Sequence, residues 1–263
     1  MFTLYKHEMK TYIKSLLIWV ICVGGMGFAC ILLFSSMKES MEGMAESFAT
    51  MGGFSDAFGM SRLSIATLAG FYATEIGTIH GLGGAMFAAI ISTVILSKEE
   101  DGHTSEFLFS LPVKKSSIVT AKWAAVFSHV LLFNILCVGL YLSGIWVLGE
   151  EISMQEFFLY HLMQFVMQLE ICAVCFAISA FMKKNKLGLG LGIVLLFYAY
   201  DLIARVIPDL SDYKIISPFS YANAADIFST GEIETAATCI GVGVLVIGVI
   251  LAYGVYTKRD LAS

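Results

Sequence analysis

The chain has 263 residues, of which 58% are hydrophobic and only 14% charged, and its formal net charge is -5. A soluble domain carries roughly 25% charged and 45–50% apolar residues, whereas the apolar residues here are gathered in blocks of about 20, the length that an α-helix needs to cross a bilayer core of about 30 Å. The composition therefore excludes an ordinary soluble domain and predicts an all-α, polytopic membrane protein in a lipid bilayer. No nucleic-acid partner is expected.

The first residues, 2–14, have the pattern of a short amphipathic helix. Phe2, Tyr5, Met9 and Ile13 follow helical spacing on one face, and lysines recur every four residues on another. This pattern is typical of an N-terminal interfacial helix with its lysines towards anionic headgroups. An ordinary charged tail is the alternative.

Six apolar blocks follow, each long enough for one transmembrane helix. The predicted spans cover residues 15–34, 76–97, 123–148, 157–181, 187–207 and 236–256 of a single transmembrane domain, residues 1–263. Residues 35–74 are predicted to hold an amphipathic helix with a methionine stripe, either outside the membrane or extending span 1. Residues 208–235 are predicted to form an outer loop with short helices.

The basic residues indicate an orientation for these spans. With the N-terminus in the cytoplasm, twelve of the 16 Lys and Arg fall on the cytoplasmic side, in the N-terminal tail, the 98–122 loop, the 183–186 turn and the C-terminus. Because cytoplasmic loops of membrane proteins carry an excess of Lys and Arg, we expect both termini in the cytoplasm.

The segment from Lys98 to Lys122 is unusually charged, and it also carries an apolar patch. The patch consists of Phe107, Leu108, Phe109 and Leu111 and is closed by Pro112. A loop that only joined two spans would not need this patch. We therefore predict that the segment docks another protein.

Polar side chains within the spans are candidates for a translocation path, because hydrocarbon makes them costly unless they face a partner or a cavity. The candidates are His161, Gln164, Gln168 and Glu170 on span 4, and Asp201 and Arg205 on span 5. His161, Gln164 and Gln168 form one stripe along span 4, and hydrogen bonding between helices explains this stripe equally well. Pairing is the simpler account of Glu170, and a local i,i+4 ion pair is the simpler account of the two span 5 residues.

Motifs for enzymatic chemistry are missing from the sequence. It contains no P-loop, HExxH or GxSxG motif, and nothing in it has metal-ligand spacing, so no catalytic residue and no metal ligand is expected. An intramembrane enzyme stays an alternative, which would require Glu75, His80, His161 or Glu170 to converge.

The 98–122 segment resembles the first long cytoplasmic connection of ABC-2 type transporter permeases. That connection has acids, a Gly/Thr turn, Thr-x-Glu-x-Leu, Pro-[Val/Ile], a basic residue and a Lys entering span 3. The matching residues are Glu99, Glu100, Asp101, Gly102, Thr104, Glu106, Leu108, Pro112, Val113, Lys114 and Lys122. One position departs from the pattern, since His103 separates Gly102 from Thr104.

The resemblance implies the permease subunit of an ATP-driven exporter in the bacterial plasma membrane. A second copy or a homologous permease would complete the membrane domain, and two copies of a separate ATPase would bind ATP and magnesium, so that this chain holds no cofactor. A coupling helix between spans 2 and 3, at about Thr104–Leu111, would contact the ATPase. The coupling residues would be Glu99, Glu100, Thr104, Glu106, Phe107, Leu108, Phe109, Leu111, Pro112 and Lys114.

The sequence defines the cargo less closely than it defines the class of transporter. Chain length and outer loops are loosely similar to those of the compact permeases that export amphipathic peptides, such as phenol-soluble modulin exporters. Aromatic and Met-rich surfaces favour an apolar or amphipathic cargo. Drugs, bacteriocins and lipid-linked cargo stay open, as does a membrane scaffold that transports nothing.

Overall fold

The computed structural model describes residues 1–110 and 112–259, without the side chains of Phe107 and Phe109. All regular elements in this part of the chain are helices. Six of them are long and apolar enough to cross a membrane: Phe2–Ala49, Leu68–Val94, Lys115–Leu148, Met154–Phe181, Leu187–Val206 and Thr235–Lys258. These helices are spans 1 to 6 below, and they confirm the predicted all-α class and six-span architecture.

Span 1 is one helix of 48 residues, interrupted only in its hydrogen-bond pattern by a π-helical turn at Val20–Gly25. Residues 2–14 are helical as predicted, but they are the first turns of this helix rather than a separate element. The change in polarity near residue 15 suggested a boundary, yet it leaves the backbone helix intact. Much of the methionine-rich segment continues the same helix, in agreement with the prediction that it extends span 1.

Spans 2 and 3 both begin earlier than predicted. Each helix continues through polar residues at which the apolar run of the sequence stops, namely Thr74 and Glu75 in span 2 and residues 115–122 in span 3. The Thr67 hydroxyl accepts a hydrogen bond of 3.1 Å from the Gly70 amide and caps span 2. A π-helical turn at Tyr72–Ile76 then joins this start to the rest of the span. Span 3 begins at Lys115, so that Lys122 lies inside the helix.

The two ends of the helical bundle are distinct. The first turns of span 1, the 98–114 segment, the turn after span 4 and the end of span 6 meet at one end, called the loop end here. Lys98 contacts Glu8 there, and Arg259 donates hydrogen bonds to the carbonyls of Ala180 and Met182. The far end holds the other connections, including a 3₁₀ helix at Pro208–Ile216 and a short α-helix at Ala224–Thr230.

Span 4 is the centre of the bundle, with 67% of its most apolar stretch buried. Glycines on its neighbours permit close approach. A Cβ at Gly84 of span 2 would lie 2.3 Å from the Gln168 amide nitrogen, and a Cβ at Gly248 of span 6 would lie 2.9 Å from the backbone of Ala173. These contacts fix the two helices that flank the polar face of span 4.

The contact between spans 4 and 6 can be tested by adding one methyl group. Because backbone blocks a side chain at Gly248, we expect Gly248→Ala to cost about 1–3 kcal/mol of stability through overpacking. Gly243→Ala is the matched control, since a Cβ at Gly243 of the same helix meets nothing within 4 Å. Thermal unfolding in detergent measures both variants, and equal midpoints would contradict the packing described.

Candidate functional site

The 98–114 segment folds as two short helices, Lys98–Asp101 and Ser105–Ser110. The second lies within the stretch predicted as a coupling helix, Thr104–Leu111, of which Leu111 is outside the described residues. The segment leaves the end of span 2 and returns to the start of span 3. It therefore lies at the loop end, beside the N-terminus and the end of span 6.

The turn between these two helices explains the irregular position in the family-like pattern. His103 has a φ of 54°, the left-handed conformation, whereas Gly102 does not. The His103 amide bonds the carbonyl of Glu100 at 3.1 Å, and the Thr104 amide bonds that of Glu99 at 2.8 Å. These two bonds form a Schellman motif, which normally has glycine at the left-handed position. The extra residue is therefore accommodated at the helix end.

Buried charges anchor the first of these helices to spans 1 and 3. Lys98 pairs with Glu8 at 2.5 Å, and Lys122 pairs with Glu99 at 2.5 Å and with Glu8 at 3.4 Å. Lys122 also donates to the carbonyl of Ile95. The Glu8 and Lys122 side chains are completely buried. We call Glu8, Lys98, Glu99 and Lys122 the charge cluster.

A second anchor joins the same helix to the end of span 6. Arg259 pairs with Glu100 at 2.7 Å while also bonding two carbonyls at the end of span 4. Lys115 donates to the Arg259 carbonyl at 2.7 Å. The segment is thus tied to spans 1, 3, 4 and 6.

The predicted coupling residues divide into two groups. Glu99 and Glu100 point into the chain as anchors, and Leu108 is 8% exposed and packs against the core. The side chains of Phe107 and Phe109, like Leu111, lie outside the described part. The exposed members of the set are Thr104, Glu106, Pro112 and Lys114.

Sequence reasoning missed Glu8, which belongs to the lysine-rich N-terminal turns and looked like a solvated charge. Its position four residues from Tyr12, on the face opposite Lys10, is a signal that could have identified it. The burial of Glu8 shows that the N-terminal turns belong to the packed structure at the loop end.

The charge cluster leads to a prediction about the unfolding temperature of the protein. Glu8→Ala would leave Lys122 buried with fewer partners, and removing one member of a buried ion pair typically costs about 3–5 kcal/mol. We expect a clearly lower unfolding temperature in detergent, and little change for Glu106→Ala, which removes an exposed carboxylate from the same end. If the two variants unfold alike, the cluster does not stabilise the loop end.

The candidate path residues His161 and Gln168 belong to a polar network among spans 2, 3 and 4. His161 Nε2 lies 2.7 Å from the Tyr72 hydroxyl, and the Asn134 amide donates to Gln168 Oε1 at 2.7 Å. Asn134 Oδ1 also lies 3.2 Å from His80 Nε2. These bonds agree with the interhelical hydrogen-bonding alternative for the stripe.

The remaining path candidates hold an irregular segment, residues 217–223, that enters the bundle from the far end. The Gln164 amide donates to the Ala222 carbonyl at 2.7 Å, and the Tyr221 hydroxyl donates to Glu170 Oε2 at 2.7 Å. Glu170 lies near the middle of span 4, so Tyr221 reaches deep into the bundle. Gly241 of span 6 leaves room for this pair, because a Cβ there would lie 2.6 Å from Glu170 Oε2.

Arg205 completes the attachment of this segment. It pairs with Asp201 at 2.8 Å and with Asp226 at 2.8 Å, and it also donates to the Ser220 carbonyl at 3.4 Å. Arg62 pairs with Asp226 as well. The predicted i,i+4 ion pair is present, but it is part of a larger network that joins span 5 to residues 220–226. The sequence alone gave no indication of Tyr221 or Asp226 as partners.

Irregular backbone at membrane depth is tolerated where it is buried within protein and its polar groups are satisfied. Gln164 of span 4 and Arg205 of span 5 meet this need for two carbonyls of residues 217–223, those of Ala222 and Ser220. We refer to these residues as the inserted segment.

The bond between Tyr221 and Glu170 predicts a measurable effect on the inserted segment. Tyr221→Phe removes the donor and leaves the buried carboxyl without it, at a cost of about 1–3 kcal/mol. We expect a lower unfolding temperature and faster proteolysis of residues 208–234. Tyr213→Phe, at an exposed tyrosine of the same connection, should change neither measurement, and an equal response of both variants would contradict the role of this bond.

The fold and the clusters define a polytopic integral membrane protein. Its loop between spans 2 and 3 is anchored at the end of the bundle where span 1 begins and span 6 ends. The sequence model of the ABC-2 family transporter protein matches residues 2–261. The chain therefore belongs to this family and is a membrane permease of an ABC transporter. The comparison with curated proteins gives no match.

Proposed function

We propose that the chain is the permease subunit of an ATP-driven exporter and that a separate ATPase drives it through the 98–114 segment. The observation that carries this proposal is the anchoring of the segment by Glu99 and Glu100, which pair with Lys122 of span 3 and Arg259 of span 6. A force applied to the segment is thereby applied to the spans themselves. Two copies of the ATPase would bind ATP and magnesium.

The docking surface is proposed to be the part of the segment that faces away from the bundle. The exposed Thr104, Glu106 and Lys114 supply polar contacts that fix the register of a partner. Phe107, Phe109 and Leu111 stay sequence predictions for the apolar centre of the contact. Leu108 is proposed to hold the second helix on the membrane domain, because it is buried within the chain.

The loop end is proposed to face the cytoplasm of a bacterial cell, with both termini there, because twelve of the 16 Lys and Arg lie at this end. The far end would then face outwards. Release of cargo on that side would require movement of the inserted segment, and Gln164, Glu170, Asp201 and Arg205 would control it as members of its attachment. A second permease, identical or homologous, would complete the path.

An apolar or amphipathic cargo, such as an amphipathic peptide, is proposed because the chain exposes a Met-rich and aromatic surface that includes Met37, Met44, Met51 and Phe54. Drugs, bacteriocins and lipid-linked molecules are the alternatives within the same mechanism. The alternative of an intramembrane enzyme requires three of the four residues Glu75, His80, His161 and Glu170 to converge. His80 and His161 do meet, with ring centroids 4.9 Å apart, but Glu170 bonds Tyr221 and Glu75 is exposed.

The coupling proposal is tested with the ATPase that copurifies with the chain. We expect Glu106→Lys, combined with Phe107→Asp, to abolish stimulation of ATPase activity by the permease while insertion and thermal stability stay unchanged, because these substitutions alter the docking surface and leave the anchors intact.

Lys184→Glu is the matched control, since Lys184 is an exposed residue at the same end but in the turn after span 4. It should couple normally. Normal coupling in the double variant would overturn the assignment of the docking surface. Transport of a labelled amphipathic peptide into inverted vesicles, measured with and without ATP, separates an exporter from a scaffold.

A further inference from the structure

A large cavity lies at the loop end, between the first turns of span 1 and the 98–114 segment. Its volume is about 770 Å³, within the range of about 300–1,000 Å³ that small-molecule sites occupy. The walls are mainly apolar and include Met1, Leu4, Leu108, Val113 and Ile118. The anchors described above do not fill this space.

The charged groups of the cavity differ between its two sides. On the inner side Lys98 and Glu99 are neutralised within the charge cluster. On the outer side the rim includes His7 and Thr104, both exposed. Lys10 is exposed one helical turn beyond His7 on the same face. Lys10 therefore gives this rim a positive charge, and none of the ion pairs among the described residues includes it.

An apolar cavity with a basic rim at the end of membrane-spanning helices fits an acyl chain that carries an anionic headgroup. We propose that the cavity binds one acyl chain of an anionic phospholipid from the leaflet at the loop end. Lys10 and His7 hold the headgroup phosphate. An apolar side chain of an ATPase would fill the cavity but would not use the basic rim.

The position of this site gives the lipid a specific effect. Leu108 and Glu99 line the cavity, and they belong to the two short helices of the 98–114 segment. A bound chain packs between this segment and span 1, so that it stabilises the segment in the observed position. The site thus makes the segment sensitive to the lipid composition of the membrane.

The site is tested by native mass spectrometry of the delipidated full-length chain in detergent, titrated with phosphatidylglycerol or with phosphatidylcholine of the same acyl chains. We expect one phosphatidylglycerol to be retained per chain. Val113→Trp, which fills the cavity, should weaken this retention by about tenfold or more, and Lys10→Glu should weaken it by about tenfold and remove the preference over phosphatidylcholine.

Lys184→Glu, which reverses an exposed charge away from the cavity, is the control and should bind as the wild type does. Thr3→Trp at the rim serves as a second filling variant if Val113→Trp does not fold. Equal retention by wild type and filling variants, or equal binding of the two lipids, would overturn the proposal.

A photoreactive side chain placed at Thr3 distinguishes the occupants directly. Capture of phospholipid in membranes is the expected result, and capture of the copurified ATPase in place of lipid would also overturn the proposal. These measurements need no ATP hydrolysis, so their outcome is independent of the coupling experiment.

Discussion

Two charged side chains, Glu8 and Lys122, are completely buried at the loop end, and the rest of that end depends on their pairing. Removing such ions from water costs several kcal/mol each, which is recovered only while partners stay in place. Lys98 and Glu99 provide those partners. The first turns of span 1, the start of the loop and the start of span 3 must therefore keep their arrangement or expose the cluster to water. The loop is consequently a rigid extension of the spans.

A different constraint organises the far end. The inserted segment brings unpaired backbone groups into the bundle, where water does not satisfy them. Gln164 and Arg205 bond its carbonyls, and Ser217 bonds the carbonyl of Phe197 at 3.0 Å. The polar residues that the sequence suggests as the wall of a translocation path therefore also form the hydrogen bonds that the backbone of the inserted segment needs. The two roles are compatible, because a segment held by few polar contacts can be released as a unit.

The sequence predicts what depends on local composition. Apolar runs of sufficient length gave the six spans, and the pattern of acids, turn and Thr-x-Glu gave the loop that distinguishes the family. Partners distant in the chain were not predictable, because Glu8 looks solvated in a lysine-rich turn and nothing local links it to Lys122. For the same reason the sequence named Glu99 and Glu100 as coupling residues without indicating that Lys122 and Arg259 are their partners.

Span 6 contacts both of these regions. At the loop end Arg259 pairs with Glu100. About two helical turns from the start of span 6 at the far end, Gly241 packs against Glu170 and Tyr221. A straight helix transmits a shift along its axis, since its backbone hydrogen bonds are stiff compared with side-chain contacts. Under the proposed function, movement of the loop would therefore reach the inserted segment most directly through span 6. The glycine at position 241 makes this contact a close one, in which a small displacement changes the geometry of the Tyr221 bond.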